Sequence, residues 1–169
     1  MDQNRKRMRR YEIAGHARFL TFSCSGRQQF FDDRAACDVF AQQLMISRSR
    51  SGFRLFAWVV MPEHVHMLLQ PELDQESVSK MLMSLKRRVA TRVLGDWREA
   101  GRVVPDRFWQ AGGGYDRNIY SGDELAEKIR YIHENPVRRG LVERGEDWVW
   151  SSCRAWGGLE TAWGEVDRV

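Results

Sequence analysis

The sequence predicts an α+β fold: an antiparallel sheet in the split βαβ, ferredoxin-like arrangement, with an additional C-terminal helix. Three observations lead there. Runs rich in aromatic and β-branched residues alternate with two amphipathic stretches in the order β-α-β-β-α-β. Only Pro62-Glu63 separates the second strand from the third, so short a link that the two must form a hairpin. A further helical stretch follows the last strand and carries Tyr131. That order defines the split βαβ pattern, an architecture that by itself names no activity.

Each element has its own warrant. Residues 18–24 read as the first strand, with Gly26 after it. Asp32 or Asp33 is placed to cap a helix reaching about residue 48, whose apolar positions Ala36, Val39, Phe40, Leu44 and Met45 recur at helical spacing. Ser51-Gly52 breaks it. Residues 53–61 and 64–70 are the hairpin strands, the latter ended by Pro71. A second helix is expected over 76–94, with Val78, Met81, Leu82, Leu85, Val89 and Val93 as its stripe and Gly95 as its stop. The stretch 102–120 is aromatic and Gly-rich and contributes a strand near 115–120. Ser121, Gly122 or Asp123 caps a third helix over 124–134, closed by Asn135-Pro136 because the residue before proline avoids the α region.

Length and composition bound the function. At 169 residues, 43% hydrophobic and 30% charged, the chain fits one domain with a buried core, here taken as 1–169 with a basic arm at 1–10 and a tail at 154–169 of no assigned role. No apolar run approaches the ~20 residues that span a bilayer, and nothing resembles a secretory leader. Three cysteines, none spaced C-x-x-C, argue for reduced thiols in a cytoplasm and against a thiolate zinc site. The charge is concentrated. Residues 1–18 hold Arg5, Lys6, Arg7, Arg9, Arg10 and Arg18 against Asp2 and Glu12, so the arm accounts for the whole net charge of +4. Such an arm can follow phosphates or enter a groove.

The sharpest motif is Met61-Pro62-Glu63-His64-Val65-His66-Met67. In a strand His64 and His66 share one face and Val65 takes the other, with the two histidine Cα atoms about 6–7 Å apart. Two imidazoles so placed can converge on one cation, although H-x-H also occurs as a plain surface pair. Imidazole alone does not choose among Mg, Mn and Zn. A third ligand must come from elsewhere, and Tyr131-Ile132-His133-Glu134-Asn135 offers it. Tyr131 and Asn135 are i and i+4 on one helical face, so the Asn135 carboxamide can complete the site with Tyr131 one turn away. That arrangement suits a phenolate attacking a phosphodiester whose charge the cation neutralises. Tyr115, with Asn118, is the rival nucleophile. Lys86, Arg87, Arg88 and Arg92 form a basic stretch on the second helix that meets DNA or is simply solvated. Trp109 either stacks on an unpaired base or packs in the core; Trp148 and Trp150 read as packing residues.

Trp58-Val59-Val60-Met61-Pro62-Glu63-His64-Val65-His66 together with Tyr131-Ile132-His133-Glu134-Asn135-Pro136-Val137 resembles the single-tyrosine HUH transposases, specifically the REP-associated tyrosine transposases of bacteria. The resemblance extends to Arg10-Tyr11 through Thr21, Ser84-Leu85-Lys86-Arg87, Arg107-Phe108-Trp109 and Asp147-Trp148-Val149-Trp150-Ser151-Ser152, and so covers about residues 9–153. It implies an endonuclease and strand transferase dependent on a divalent metal (Mg or Mn) and acting on single-stranded DNA folded as palindromic repeat hairpins beside a tetranucleotide. It implies His64, His66 and Asn135 as metal ligands and Tyr131 as the nucleophile of a 5′-phosphotyrosyl intermediate. Arg5, Lys6, Arg7, Arg9, Arg10, Lys86, Arg87, Arg88 and Trp109 are the candidate DNA-facing residues. The expected setting is the cytoplasm, at the nucleoid, with the protein a monomer and a dimer as the alternative. Two other functions compete: a non-catalytic nucleic-acid-binding module of the same fold, needing neither metal nor the Tyr131 hydroxyl, and a metal-dependent hydrolase of small phosphate esters.

Overall fold

A computed structural model describes residues 15–72, 77–112 and 114–169. The arginines and lysine proposed for the arm, Arg5 to Arg10, lie outside the described residues. The elements run β1 (Ala17–Ser23), α1 (Arg34–Ser51), β2 (Phe53–Met61), β3 (His64–Pro71), α2 (Val78–Glu99), β4 (Tyr115–Ile119), α3 (Gly122–Arg138) and a short α4 (Cys153–Trp156). The strands form one antiparallel sheet in the order β2-β3-β1-β4, the ferredoxin-like arrangement expected from element order.

Alternation along the strands builds two apolar layers. Leu20, Phe22, Leu55, Val60, Val65, Met67 and Leu69 face α1 and α2, whose own stripes (Phe40, Leu44, Leu85, Val89) close the larger core. Phe19, Val59, Met61 and Leu68 face the opposite way, under Leu125, Ile129 and Ile132 of α3. The sheet is therefore covered on both sides, α1 and α2 on one and the tyrosine helix on the other.

Two expectations about boundaries need correction. Gly95 does not stop α2, which runs on to Glu99. Trp97 is buried against the first helix, and its Nε1 donates to Asp33 Oδ2 at 2.6 Å, so tertiary contact outweighs the modest cost of a helical glycine. Nor does Asn135-Pro136 end α3, which continues to Arg138 with the proline inside. Asn135 and Pro136 are both buried, and their carbonyls accept from the N–H groups of Arg139 and Leu141, which holds the extra turn. The second helix begins at Val78, capped by the Ser77 hydroxyl, and the expected start at Glu76 lies outside the described residues. Asp33 caps α1 by accepting from Ala35 N, and Gly52 ends it in the left-handed conformation.

Residues 148–167, most of them in the tail to which the sequence assigned no role, lie along the free rim of β2. Val60 N donates to Trp150 O, Trp58 N to Ser152 Oγ, and Leu55 N to the Asp167 carboxylate at 2.7 Å. Indole N–H groups of Trp148 and Trp156 meet the carbonyls of Val60 and Phe56. An edge strand that would otherwise offer a row of unpaired groups is thus covered. Trp148 and Trp150 are packing residues, as expected.

A candidate metal and tyrosine site

The hairpin turn sets the histidines. Met61 pairs directly with His64, and the turn between them is held from outside by Phe31 N donating to Pro62 O and Cys24 N to Glu63 O. His64 and His66 therefore sit on the α3 face of β3, both almost fully buried, and their Nε2 atoms stand 3.0 Å apart. Each Nδ1 is engaged. His64 Nδ1 lies 3.0 Å from Glu63 Oε1, and His66 Nδ1 lies 2.7 Å from the hydroxyl of Thr21, its register partner on β1. Phe19 stacks on the His66 ring at 5.5 Å and 19°.

Electrostatics keep these rings neutral. Burial pushes His66 down to about 3, with neighbouring His64 adding to the effect. Burial also lowers His64, although the Glu63 carboxylate pulls the other way. Burial alone would raise Glu63; the hydrogen bond from Arg139 and the adjacent His64 bring it down to about 2. An ionised Glu63 only accepts, so His64 carries its proton on Nδ1 and presents the Nε2 lone pair. His66 Nε2–H then donates to His64 Nε2, and Thr21 O–H donates to His66 Nδ1. His66 could equally carry its proton on Nδ1, because a hydroxyl accepts as readily as it donates, and both Nε2 lone pairs would then be free to serve a cation.

Tyr131 lies edge-on to this pair, its ring centroid 5.4 Å from that of His66 and 6.0 Å from that of Phe19. Tyr115 also reaches Phe19, at 6.1 Å, but is 45% exposed on β4, and no ring contact joins it to either histidine. Of the two rival tyrosines, the structure brings Tyr131 to the site. Asn135 stands one turn further along α3 and is buried. Arg139, another turn on, donates from Nη1 to Glu63 Oε1 at 2.7 Å. The stripe Tyr131–Asn135–Arg139 thus meets His66 at one end and the residue before His64 at the other, with Asn135 between those two contacts. Among the described residues no group of three or more His, Cys, Asp or Glu could hold a metal ion. Two neutral imidazoles with converging Nε2 atoms and a buried carboxamide nonetheless fit a divalent cation, the third donor being one that carries no charge.

The other sequence-nominated residues fall elsewhere. Trp109 is buried among Phe22, Phe31, Phe40 and Phe108, and its Nε1 donates to Lys86 O. Base stacking by Trp109 is therefore corrected to core packing: its faces are already covered. Lys86 lies over the Phe22 and Trp109 rings, on the α1/α2 side of the sheet and away from the histidines. Arg88 bridges α2 to α1, donating to Gln43 Oε1, to Ser84 Oγ and to the Ser47 hydroxyl. Arg87 is exposed on the same helix. His133 is turned away from the site, its Nε2 2.8 Å from Ser152 Oγ.

Sequence reasoning missed Thr21, Glu63, Arg27 and Arg139. Arg139 was within reach of the helical stripe through Tyr131 and Asn135, had α3 not been ended at Pro136. Thr21 depends on strand register, which spacing alone does not give.

Residues 16–135 match the family of IS200-like transposases, and the chain belongs to that family. It is similar to the REP-associated tyrosine transposase of Escherichia coli strain K12, with 26% identity over 144 residues, 85% of this chain and 80% of that protein. A relative in Haemophilus influenzae is 27% identical over 110 residues, 59% of this chain; the chain matches 58% of that protein's length. Among solved structures, a REP-associated tyrosine transposase bound to a REP hairpin shares the fold, with a TM-score of 0.69, 24% identity and coverage of 95% of this chain and 96% of the other. Among the described residues no helix is long and apolar enough to cross a membrane.

Proposed function

We propose that this transposase-family chain is a metal-dependent endonuclease and strand transferase acting on single-stranded DNA at palindromic repeat hairpins. The observation that carries the proposal is Tyr131 set against His66, beside two Nε2 atoms 3.0 Å apart. The hairpin as partner is supported by the likeness to a transposase bound to one.

His64, His66 and Asn135 would hold the cation. When bound it neutralises phosphate charge and orients the diester. The chain's own residues do the rest. Glu63 and Thr21 fix the imidazoles through their Nδ1 atoms, and Phe19 holds the plane of His66. Lys128 and Arg138 flank the Tyr131 ring, 5.9 and 5.6 Å from its centroid, where an incoming strand brings negative charge. Tyr131 Oη attacks phosphorus, and its proton passes to solvent, which returns one to the departing 3′ oxygen. The Oη–P bond forms as the P–O3′ bond breaks, and the 3′ oxygen takes a proton. The products are a 5′-phosphotyrosyl link and a free 3′-hydroxyl. One diester has replaced another, so a 3′-hydroxyl can reverse the step and join strands without a nucleotide cofactor.

Incubation with Mn²⁺ and single-stranded palindromic DNA from beside the gene should yield a covalent adduct on a denaturing gel. Tyr131→Phe should abolish the adduct and leave hairpin binding largely intact, and His64→Ala or EDTA should stop nicking. Cleavage persisting in the phenylalanine variant rejects Tyr131 as nucleophile. Binding without any adduct in the unaltered protein favours a non-catalytic module.

A further inference from the structure

The carboxylate of Glu63 is 6% exposed and is approached by two arginines. Arg139 reaches both of its oxygens, at 2.7 and 3.3 Å, and Arg27 reaches Oε1 at 3.4 Å. The arginines are not buried with it: their side chains are 42% and 65% exposed. Among the described residues neither pairs with another carboxylate, so one negative charge faces two positive ones. The surplus charge lies beside His64, whose Nδ1 touches Glu63 Oε1.

Arg27 has a second peculiarity. Among the described residues it is the one non-glycine with a positive φ, 54°, and it follows Gly26 at φ 59°. An L side chain there carries backbone strain, and glycine would follow the same turn without it. Packing does not explain the arginine, because its head group is largely in solvent and its bond to Glu63 is long. What the turn achieves is placement. Ser23 pairs with His64, and the short 3₁₀ turn Ser25–Arg27 leaves β1 at that end, turning Arg27 back over Glu63. Arg139 comes to the same point from the end of α3, two turns beyond Tyr131.

We infer that Arg27 and Arg139 form a two-guanidinium clamp for a backbone phosphate of the DNA strand next to the one cleaved. This rests on the proposed single-strand nuclease function. Guanidinium forks match phosphate oxygens in pairs, and Arg27 uses one of its five N–H donors on Glu63, leaving the rest for an anion. Glu63 serves as the anchor that sets the spacing of the two forks. Its charge is more than balanced, so the mouth stays attractive to phosphate. Both arginines are positioning residues: they fix the strand's path across the histidines and leave the chemistry to Tyr131.

The test uses the full chain in a Tyr131→Phe background, with single-stranded palindromic DNA as the probe, and compares Arg27→Gly, Arg27→Lys and Arg139→Gln with the parent. Arg27→Gly should melt at the parent's temperature or higher, because strain is relieved. It should still bind several-fold more weakly near 0.1 M salt. The slope of log K against log salt should shrink by about 0.7 for each phosphate of a single strand that is no longer neutralised, and Arg27→Lys should recover much of that slope. With Tyr131 restored, adduct formation by Arg27→Gly should slow at least as much as binding weakens. Replacing one phosphate by neutral methylphosphonate should mark the site: at the clamped position, parent and Arg27→Gly become equal. Affinity, slope and adduct rate all at parental values in Arg27→Gly overturn the clamp, and so does a fall in its melting temperature that accounts for the weaker binding. Absence of any adduct in the unaltered protein instead overturns the nuclease proposal, while the binding slope still decides the clamp.

Discussion

Thr21 and His66 face each other across β1 and β3, with the threonine hydroxyl 2.7 Å from His66 Nδ1. The hydroxyl can donate to that nitrogen or accept from it, so one side chain serves His66 with or without a cation on Nε2. Thr21→Val keeps the shape and removes this adaptability. Mn²⁺ affinity should fall by roughly 10-fold or more, the usual cost of losing a partner behind a metal ligand. Titration by calorimetry or electron paramagnetic resonance measures it, with thermal unfolding as the control for fold.

Gly114 supports the same pair from behind. A Cβ at this residue would lie 2.1 Å from Thr21 O and 3.1 Å from Phe22 Cα, and φ is +68°. Gly114→Ala should therefore destabilise the protein by about 2–3 kcal/mol through clash and strain together. Because the displaced backbone is that of Thr21, metal affinity should fall as well. A melting curve unchanged from the parent would contradict the close approach of β4 to β1.

Arg88 should behave as a tie between helices. Its bonds to Gln43 and Ser47 hold α2 to α1 on the side of the sheet away from the histidines, while Ser84, one turn back on α2, steadies its guanidinium. Arg88→Met should cost about 1–3 kcal/mol in urea unfolding, while adduct formation per folded molecule stays at the parental level. A selective loss of DNA binding with stability intact would return Arg88 to the DNA surface.

The buried thiols give an alkaline limit to stability. Burial pushes Cys24 up to about 12, and Cys37 is raised further, its thiol donating to Phe31 O. An unfolded chain ionises these thiols from an ordinary 9.0 while the folded chain keeps them neutral. Their contribution is complete below pH 9 and is lost as pH rises from there towards 12. Urea midpoints measured from pH 7 to 10.5 should decline above 9. The decline should flatten in a Cys24→Ala, Cys37→Ala double variant.

The strand order, the hairpin and the shared face of His64 and His66 were legible because period-two alternation and a two-residue link admit few arrangements. The Tyr131–Asn135 pairing was legible for the same reason at helical period. Trp109 misled because an indole near a basic stretch reads alike as platform or core, and only burial decides. Gly95 and Pro136 misled because packing overrode local preference: Trp97 on Asp33 in one case, a buried Asn135-Pro136 turn in the other. Thr21, Arg27 and Arg139 reach the site from three separate elements. Their meeting depends on register and on the docking of α3, neither of which leaves a local trace in the sequence.

The wrapping of β2 by residues 148–167 also limits how copies of this chain can meet. A neighbour's strand cannot zip onto that border, whose donors and acceptors are already spoken for by backbone, serine, aspartate and indole groups. Among the described residues, the helix faces and the opposite margin beside β4 are the surfaces left for two copies to meet.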